Sequence, residues 1–95
     1  MTIGNFCEFK INFPEADFWL QRKGSEKTVG MPTKEYSSEN IGVKVISTEL
    51  ILPDFLFYYF QHLHISGLFE KHSYGTLKLK NIRIEDIKNI PFSFK

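Results

Sequence analysis

One stretch, Ile51–Phe94, decides most of the fold; it reads ILPDFLFYYFQHLHISGLFEKHSYGTLKLKNIRIEDIKNIPFSF. Pro53 suits the first position of a helix, and Asp54 suits the electropositive N-terminal end of the helix dipole. We therefore predict a helix from Pro53 to about His64. Its residues from Phe55 to Phe60 are apolar all round the helix, which predicts burial on most of its sides.

The remainder of this stretch predicts further short elements. Ser66-Gly67 ends the first helix or bends it into a second short helix over Leu68–His72. Gly75 marks a turn, and leucines 77 and 79 then alternate with lysines, which is the period of a strand. The last predicted elements are a short helix at Glu85–Asn89, ended by Pro91, and a final strand at Phe92–Phe94.

Upstream of this stretch the sequence predicts strands separated by a long loop. Phe9–Phe13 alternates apolar and polar residues and indicates a half-buried strand. Asp17–Arg22 is a second strand candidate, and the short connection predicts a hairpin between the two. Lys23–Asn40 is a long polar loop in which Thr28–Met31 could form a short strand. Ile41–Val45 again alternates and predicts a strand.

Composition indicates a single folded domain, residues 1–95. The chain is 42% hydrophobic and 16% aromatic, which is too apolar for a disordered chain. About five short strands in a mixed or antiparallel sheet, a buried aromatic-rich helix and one or two short helices make the predicted fold class α+β. The sequence shows neither a secretion signal nor an apolar run long enough to span a bilayer, and we expect a cytoplasmic protein.

No pattern in the sequence indicates catalysis, a metal or a cofactor. His62 and His64 are two residues apart and point to different helix faces, so they do not form a metal-binding pair. Cys7 is the only cysteine, which excludes an internal disulfide and a cysteine-based zinc site. We predict that the chain is not an enzyme; an enzyme acting through Cys7 or His72 is the alternative ranked last.

Basic residues are concentrated in two segments although the net charge is only +1. The first segment lies in the long loop and contains Arg22, Lys23, Lys27 and Lys34. The second surrounds the Gly75 turn and contains Lys71, His72, Lys78, Lys80 and Arg83. If the two segments meet, they form a patch that can neutralise phosphates. If they do not, they are an ordinary solvated surface in which Glu26 and Glu70 cancel much of the field.

The order and spacing of these features resemble the target-recognition domain of type I restriction-modification specificity subunits, a DNA methylase specificity domain. The resemblance is carried by Leu52-Pro53, Tyr58, Tyr59, Gly75-Thr76, Leu77, Leu79 and Ile84 through Pro91, and upstream by Arg22-Lys23-Gly24-Ser25 and Val29-Gly30. The chain departs from the family by ending at Lys95, without the long helices that dock methyltransferase subunits. The resemblance therefore suggests a truncated, stand-alone reader, or a relic on a bacterial or phage mobile element.

The resemblance implies recognition of double-stranded DNA through basic loops, without catalysis. By position these loops are Arg22–Lys34 and Gly75–Lys80. The candidate phosphate contacts are Arg22, Lys23, Lys27, Lys78 and Lys80, and the candidate contacts to a base or backbone oxygen are Ser25 and Thr76. The alternative is a protein-interaction or self-associating module that does not bind DNA and uses exposed aromatics such as Trp19, Tyr36 or Tyr74.

Overall fold

The computed structural model describes residues 2–76 and 79–92 and shows an α+β domain. A 3-10 helix at Ile3–Asn5 precedes the first strand. The strands are β1 (Cys7–Ile11), β2 (Phe18–Leu20), β3 (Lys23–Gly24), β4 (Pro32–Thr33), β5 (Ile41–Val45), β6 (Tyr74–Gly75) and β7 (Lys80–Asn81). The α-helices are α1 (Pro53–Ile65), α2 (Leu68–His72) and α3 (Ile84–Lys88). The described strands form two antiparallel sheets, ordered β1-β5-β2-β4 and β3-β7-β6, where one sheet is predicted from the sequence.

The central strand of the larger sheet is β5, which separates β1 from β2. β1 pairs with it from Cys7↔Val45 to Ile11↔Ile41, and β2 pairs with its other edge. The predicted hairpin between the first two strands is therefore wrong. The connection between β1 and β2 instead crosses the face of β5 at Gly42, where a Cβ atom would lie 2.6 Å from the Phe13 Cβ and 2.9 Å from the Ala16 Cβ. The Asp17 backbone N–H then donates to the Val43 carbonyl, and the Asp17 carboxylate accepts from the Val45 N–H.

Helix α1 packs against the larger sheet through one face. Leu56 and Phe60 are fully buried, and the Phe60 ring lies against Phe18 of β2 and stacks on Phe69 of α2. Phe55 and Tyr58 are exposed, so the expectation of burial on most sides of this helix is wrong. Within the described residues the larger sheet, α2 and Phe92 cover the side of α1 that carries Leu56, Tyr59 and Phe60, and the side that carries Phe55 and Tyr58 is exposed.

The long loop contains more structure than its polar composition predicts. β4 pairs with β2 through Trp19↔Thr33. The predicted strand at Thr28–Met31 is wrong, because the backbone turns here: the N–H groups of Thr28 and Val29 both donate to the Ser25 carbonyl. Trp19 is buried, and its indole N–H donates to the Phe13 carbonyl at 3.0 Å. It is therefore not one of the exposed aromatics expected for a protein-interaction surface.

The C-terminal elements differ from the prediction mainly in the strands. The predicted helices over Leu68–His72 and Glu85–Asn89 are confirmed as α2 and α3. Of the predicted strand after Gly75, Lys80 lies in β7 and Leu79 precedes it, and residues 77 and 78 lie outside the described residues. Pro91 pairs with Thr2 and Phe92 is buried, whereas residues 93 and 94 of the predicted last strand also lie outside the described part. None of the helices described in the structure is both long and apolar enough to cross a membrane.

Candidate nucleic-acid interface

The smaller sheet brings the two basic segments together. β3 comes from the first segment, and it pairs with β7 from the second through Lys23↔Asn81 and Gly24↔Lys80. The Ile82 N–H extends this pairing by donating to the Arg22 carbonyl at 3.0 Å. The condition on which the predicted patch depends, contact between the two segments, is therefore met in the folded chain.

The register of this sheet separates its side chains onto two faces. Residues directly opposite each other in an antiparallel pair project to the same face. Asn81 lies opposite both Lys23 and Tyr74, so these three form one row, which we call the outer row. Lys80 projects to the opposite face, where both of its neighbours in register are glycines.

Lys80 faces helix α2 rather than solvent. Its ammonium lies 3.5 Å from the Glu70 carboxylate of α2, and its side chain is 11% exposed. A cation that is this buried and already paired has little exposed charge with which to contact a phosphate, so the geometry gives Lys80 the role of joining the smaller sheet to α2.

An open cleft of about 380 Å³ lies beside the outer row. Its polar lining is Arg22, Asn81, Arg83, Glu85 and Lys88, and its apolar lining is Ile11, Ile82 and Ile84. We call this the basic cleft, since it has three cations and one carboxylate. Asn81 also lines a neighbouring depression together with Lys23 and Lys80, so Asn81 is common to the basic cleft and the outer row.

Two cations of the basic cleft keep their charge available. The Arg22 Nε–H donates to the Glu39 carbonyl at 2.9 Å, which orients the guanidinium without neutralising it. Lys88 is exposed on α3. Within residues 2–76 and 79–92, neither of these side chains forms an ion pair. Both are therefore suited to neutralise an incoming anion.

Arg83 is held in place by its neighbours. Its guanidinium lies 4.3 Å from the Tyr74 ring centroid and donates to the Tyr74 hydroxyl. It also pairs with Glu85 at 3.1 Å and with Asp86 at 3.3 Å. The hydrogen bond to Asp86 is the largest cause of its raised pKa. Arg83 therefore contributes an oriented planar group, but its charge is partly balanced by the two carboxylates.

The remaining predicted contact residues lie in turns. The Ser25 hydroxyl accepts from the Lys27 N–H at 3.2 Å, and the Thr76 hydroxyl accepts from the Leu79 N–H at 3.2 Å. Lys27 is exposed, but its carbonyl contacts the His64 ring at 2.8 Å. This places Lys27 beside the C-terminal end of α1 and not among the residues that line the basic cleft. Lys78, which the sequence predicted as a phosphate contact, lies outside the described residues.

Asn81, Arg83 and Lys88 are not among the candidate contacts chosen from the sequence. Lys88 follows Ile84 by four residues in α3, and residues at this spacing share a helix face. Because Ile84 lines the basic cleft, helical periodicity was the signal that could have placed Lys88 there. The contribution of Asn81 depends on the pairing of two-residue strands, which leaves no comparable pattern in the sequence.

A cluster of metal-binding groups and the single thiol are the alternatives to a binding surface. Among the residues that the structure describes, no group of three or more histidine, cysteine, aspartate or glutamate side chains could hold a metal ion. Cys7 is buried in the larger sheet, and its burial, followed by the charge of Asp17, raises the pKa of its thiol to about 12. A thiol that remains protonated at neutral pH is a poor nucleophile.

Comparison with known proteins adds no function to this geometry. No protein-family model matches the chain, and no curated protein or solved structure is significantly similar to it. The resemblance to type I target-recognition domains therefore rests on the residues of the chain alone, among which Leu52-Pro53 leads into α1 and Gly75-Thr76 leads from β6 into the following turn.

Proposed function

We propose that this chain is a non-catalytic DNA-binding module, and that the basic cleft and the outer row hold the phosphate backbone of a duplex. One observation carries the proposal. The β3-β7-β6 sheet joins two basic segments that are distant in sequence, so that Arg22 and Lys88 line a cleft with Asn81, and Asn81 is paired in register with Lys23. The resemblance to target-recognition domains supports the same class of ligand.

The chemistry of this surface suits a phosphate backbone better than a small anion. The basic cleft is open to solvent, and three of the side chains that line it are cationic. Lys and Arg on such a surface neutralise successive phosphates and release condensed counterions. Asn81 adds a neutral hydrogen-bonding group that is suited to orient a duplex or to contact its base edges, whereas the Tyr74 hydroxyl already donates to Asp86 and accepts from Arg83.

The carboxylates near the cleft limit the affinity that this surface can reach. Glu85 lines the cleft and Asp86 lies beside it, and both pair with Arg83. The chain as a whole has a net charge of only +1. We therefore expect non-specific binding with a dissociation constant of about 10⁻⁴ to 10⁻⁶ M, which is the usual range for non-specific binding to DNA.

The test is fluorescence anisotropy of a labelled mixed-sequence duplex at about 50 mM and about 200 mM salt, the range over which phosphate contacts weaken. The variant Lys23→Glu/Lys88→Glu reverses two exposed charges of the proposed surface. We expect at least a tenfold loss of affinity, because each reversal removes one phosphate contact and adds repulsion.

The matched control is Lys27→Glu/Lys71→Glu, which makes the same change in net charge at two exposed lysines that do not line the basic cleft. This control should retain most of the affinity. An equal loss in both double variants would show that net charge and not the cleft governs binding. No binding by the unaltered chain at about 100 μM would contradict the proposal and favour a protein-interaction module.

A further inference from the structure

The basic cleft has an apolar lining that a phosphate backbone does not require. Its apolar side chains are Ile11, Ile82 and Ile84. Ile82 is buried, whereas Ile11 is 43% exposed and presents apolar surface to solvent. Phosphates are held by cations and by hydrogen-bond donors, and neither interaction uses an isoleucine side chain. The apolar lining therefore indicates a second part of the ligand, which has an apolar surface of its own.

The mixture of apolar and polar groups in the basic cleft is typical of a site for a small chemical unit. Such sites have volumes of about 300 to 1,000 Å³ and combine apolar walls with a few polar groups that orient the ligand. The basic cleft, at about 380 Å³, lies at the small end of this range. In a nucleic acid, a single nucleotide has this mixed chemistry, because its base has an apolar face and its phosphate is an anion.

A base can present its face to this lining only when it is unpaired. In an intact duplex the faces are covered by the neighbouring base pairs, and a protein reaches only the base edges in the grooves. Proteins that bind unstacked or extruded bases hold them between apolar or aromatic side chains, or against arginine guanidinium planes. Exposed Ile11 and half-buried Ile84 are apolar contacts of this kind.

Arg83 adds a planar group that is already held in place. Its guanidinium lies 4.3 Å from the Tyr74 ring centroid and donates to the Asp86 carboxylate at 3.3 Å, and Arg83 also lines the basic cleft. A base that stacks on this group does not have to immobilise a free side chain, so less conformational entropy is lost on binding. Because Glu85 and Asp86 partly balance its charge, Arg83 suits a neutral base better than a phosphate.

Glu85 is a carboxylate in the basic cleft, and a phosphate cannot be its partner. Its Oε1 atom pairs with Arg83 at 3.1 Å, and its side chain is 60% exposed. A carboxylate accepts several hydrogen bonds at once, and in DNA recognition it accepts from the exocyclic amino group of a base. On the basis of the proposed DNA binding, we infer that the basic cleft binds one unpaired nucleotide whose base carries an exocyclic amino group. The base lies against the isoleucines, and the flanking phosphates contact Arg22 and Lys88.

Fluorescence anisotropy at about 50 mM salt tests the inference with the full chain and labelled duplexes of one sequence. One duplex is fully paired, and the others carry a bulged adenine, a bulged thymine or an abasic bulge, which keeps the phosphates and the backbone bend but lacks the base. The bulged adenine should bind about tenfold more tightly than the paired and the abasic duplexes. It should also bind about threefold more tightly than the bulged thymine, because thymine is the DNA base without an exocyclic amino group.

The outcomes separate this inference from DNA binding itself. Measurable but equal affinity for the bulged adenine and the abasic bulge would overturn the inference and leave the phosphate contacts standing. Equal affinity for the two bulged bases would overturn the preference for an amino group. Failure of all the duplexes to bind at about 100 μM would contradict DNA binding and the inference with it. A single strand of the same sequence identifies the source of the nucleotide: tighter binding than the bulged adenine assigns the cleft to single strands, weaker binding assigns it to bases extruded from a duplex, and either result supports the inference.

Ile11→Thr tests the apolar contact, because it keeps a β-branched side chain at the end of β1 but removes apolar surface from the basic cleft. The affinity ratio between the bulged adenine and the abasic bulge should fall from about ten to about three or less. The matched control is Met31→Thr, since Met31 is 39% exposed, close to the 43% of Ile11, and is not among the residues that line the cleft. This control should keep the ratio of the unaltered chain. The same ratio in both variants would overturn the placement of the base against the isoleucines.

Discussion

Cys7, the one cysteine of the chain, is buried. Burial raises the pKa of Cys7 from its ordinary value of 9.0 to about 12, with the charge of Asp17 as the second cause. The thiolate is therefore disfavoured in the folded chain. Because the folded-state pKa is the higher one, the contribution of this group to stability is fully present below about pH 9 and is lost as the pH rises towards 12.

We expect Cys7 to react at pH 8 with a thiol-specific disulfide reagent about a thousandfold more slowly in the folded than in the unfolded chain, because the reaction requires the thiolate. The control is an exposed thiol in the same fold, Leu79→Cys in a Cys7→Ser background, which should react at the rate of a free thiol. A folded-state rate for Cys7 within tenfold of this control would contradict the burial and reopen a nucleophilic role.

At the scale of elements, the turn before β4 depends on close contact with α2. Gly30 has φ of 81°, and a Cβ atom there would lie 2.5 Å from the Cγ atom of the Phe69 ring. That ring is fully buried and stacks on Phe60 of α1. A methyl group at this position therefore has to displace the aromatic contact that joins α2 to α1.

Gly30→Ala should lower the free energy of unfolding by about 2–5 kcal/mol, which combines left-handed backbone strain with overpacking of the core. Gly67→Ala is the matched control, because Gly67 has φ of 85° but nothing within 4 Å of its Cβ position. It should cost only the strain, about 1–2 kcal/mol. Urea unfolding of both variants measures the difference, and equal losses would show that Phe69 does not restrict the turn.

Elements with a local apolar period could be predicted from the sequence, and long-range strand pairings could not. Five elements have apolar patterns that can be recognised locally, and each lies near its predicted position: α1, α2, α3, β1 and β5. The insertion of β5 between β1 and β2 is a long-range pairing, which no local period records. The two-residue strands of the smaller sheet are too short to show any period.

The candidate interface was predictable to the same limited extent. The two basic segments are visible as composition, but their contact depends on the pairing of β3 with β7. The local pattern also gives no sign that Lys80 pairs with Glu70, because the two residues are joined only by the packing of the sheet on α2. Arg83 illustrates the opposite case, since its partners Glu85 and Asp86 are its near neighbours in sequence.

At the scale of the whole molecule, charge distribution matters more than the net charge of +1. Acidic and basic side chains nearly balance in number, but ion pairs within the chain take up Lys10, Lys34, Lys80 and Arg83. Arg22, Lys23 and Lys88 remain available on the proposed DNA surface. Lys78, a phosphate contact predicted from the sequence, lies outside the described residues and is the fourth candidate. The number of phosphates that one copy neutralises should therefore be three or four.

This number sets the salt dependence of DNA binding. Each neutralised phosphate contributes about −0.9 to the slope of log K against log salt concentration, so one copy should show a slope of about −3 to −4. The measurement is anisotropy across a salt series with a duplex short enough to hold one copy of the chain. Adding Lys23→Glu and Lys88→Glu should bring the slope to between about −1 and −2. A slope near zero would mean that phosphates are not the ligand, and a slope steeper than about −6 would require cations beyond the basic cleft and the outer row.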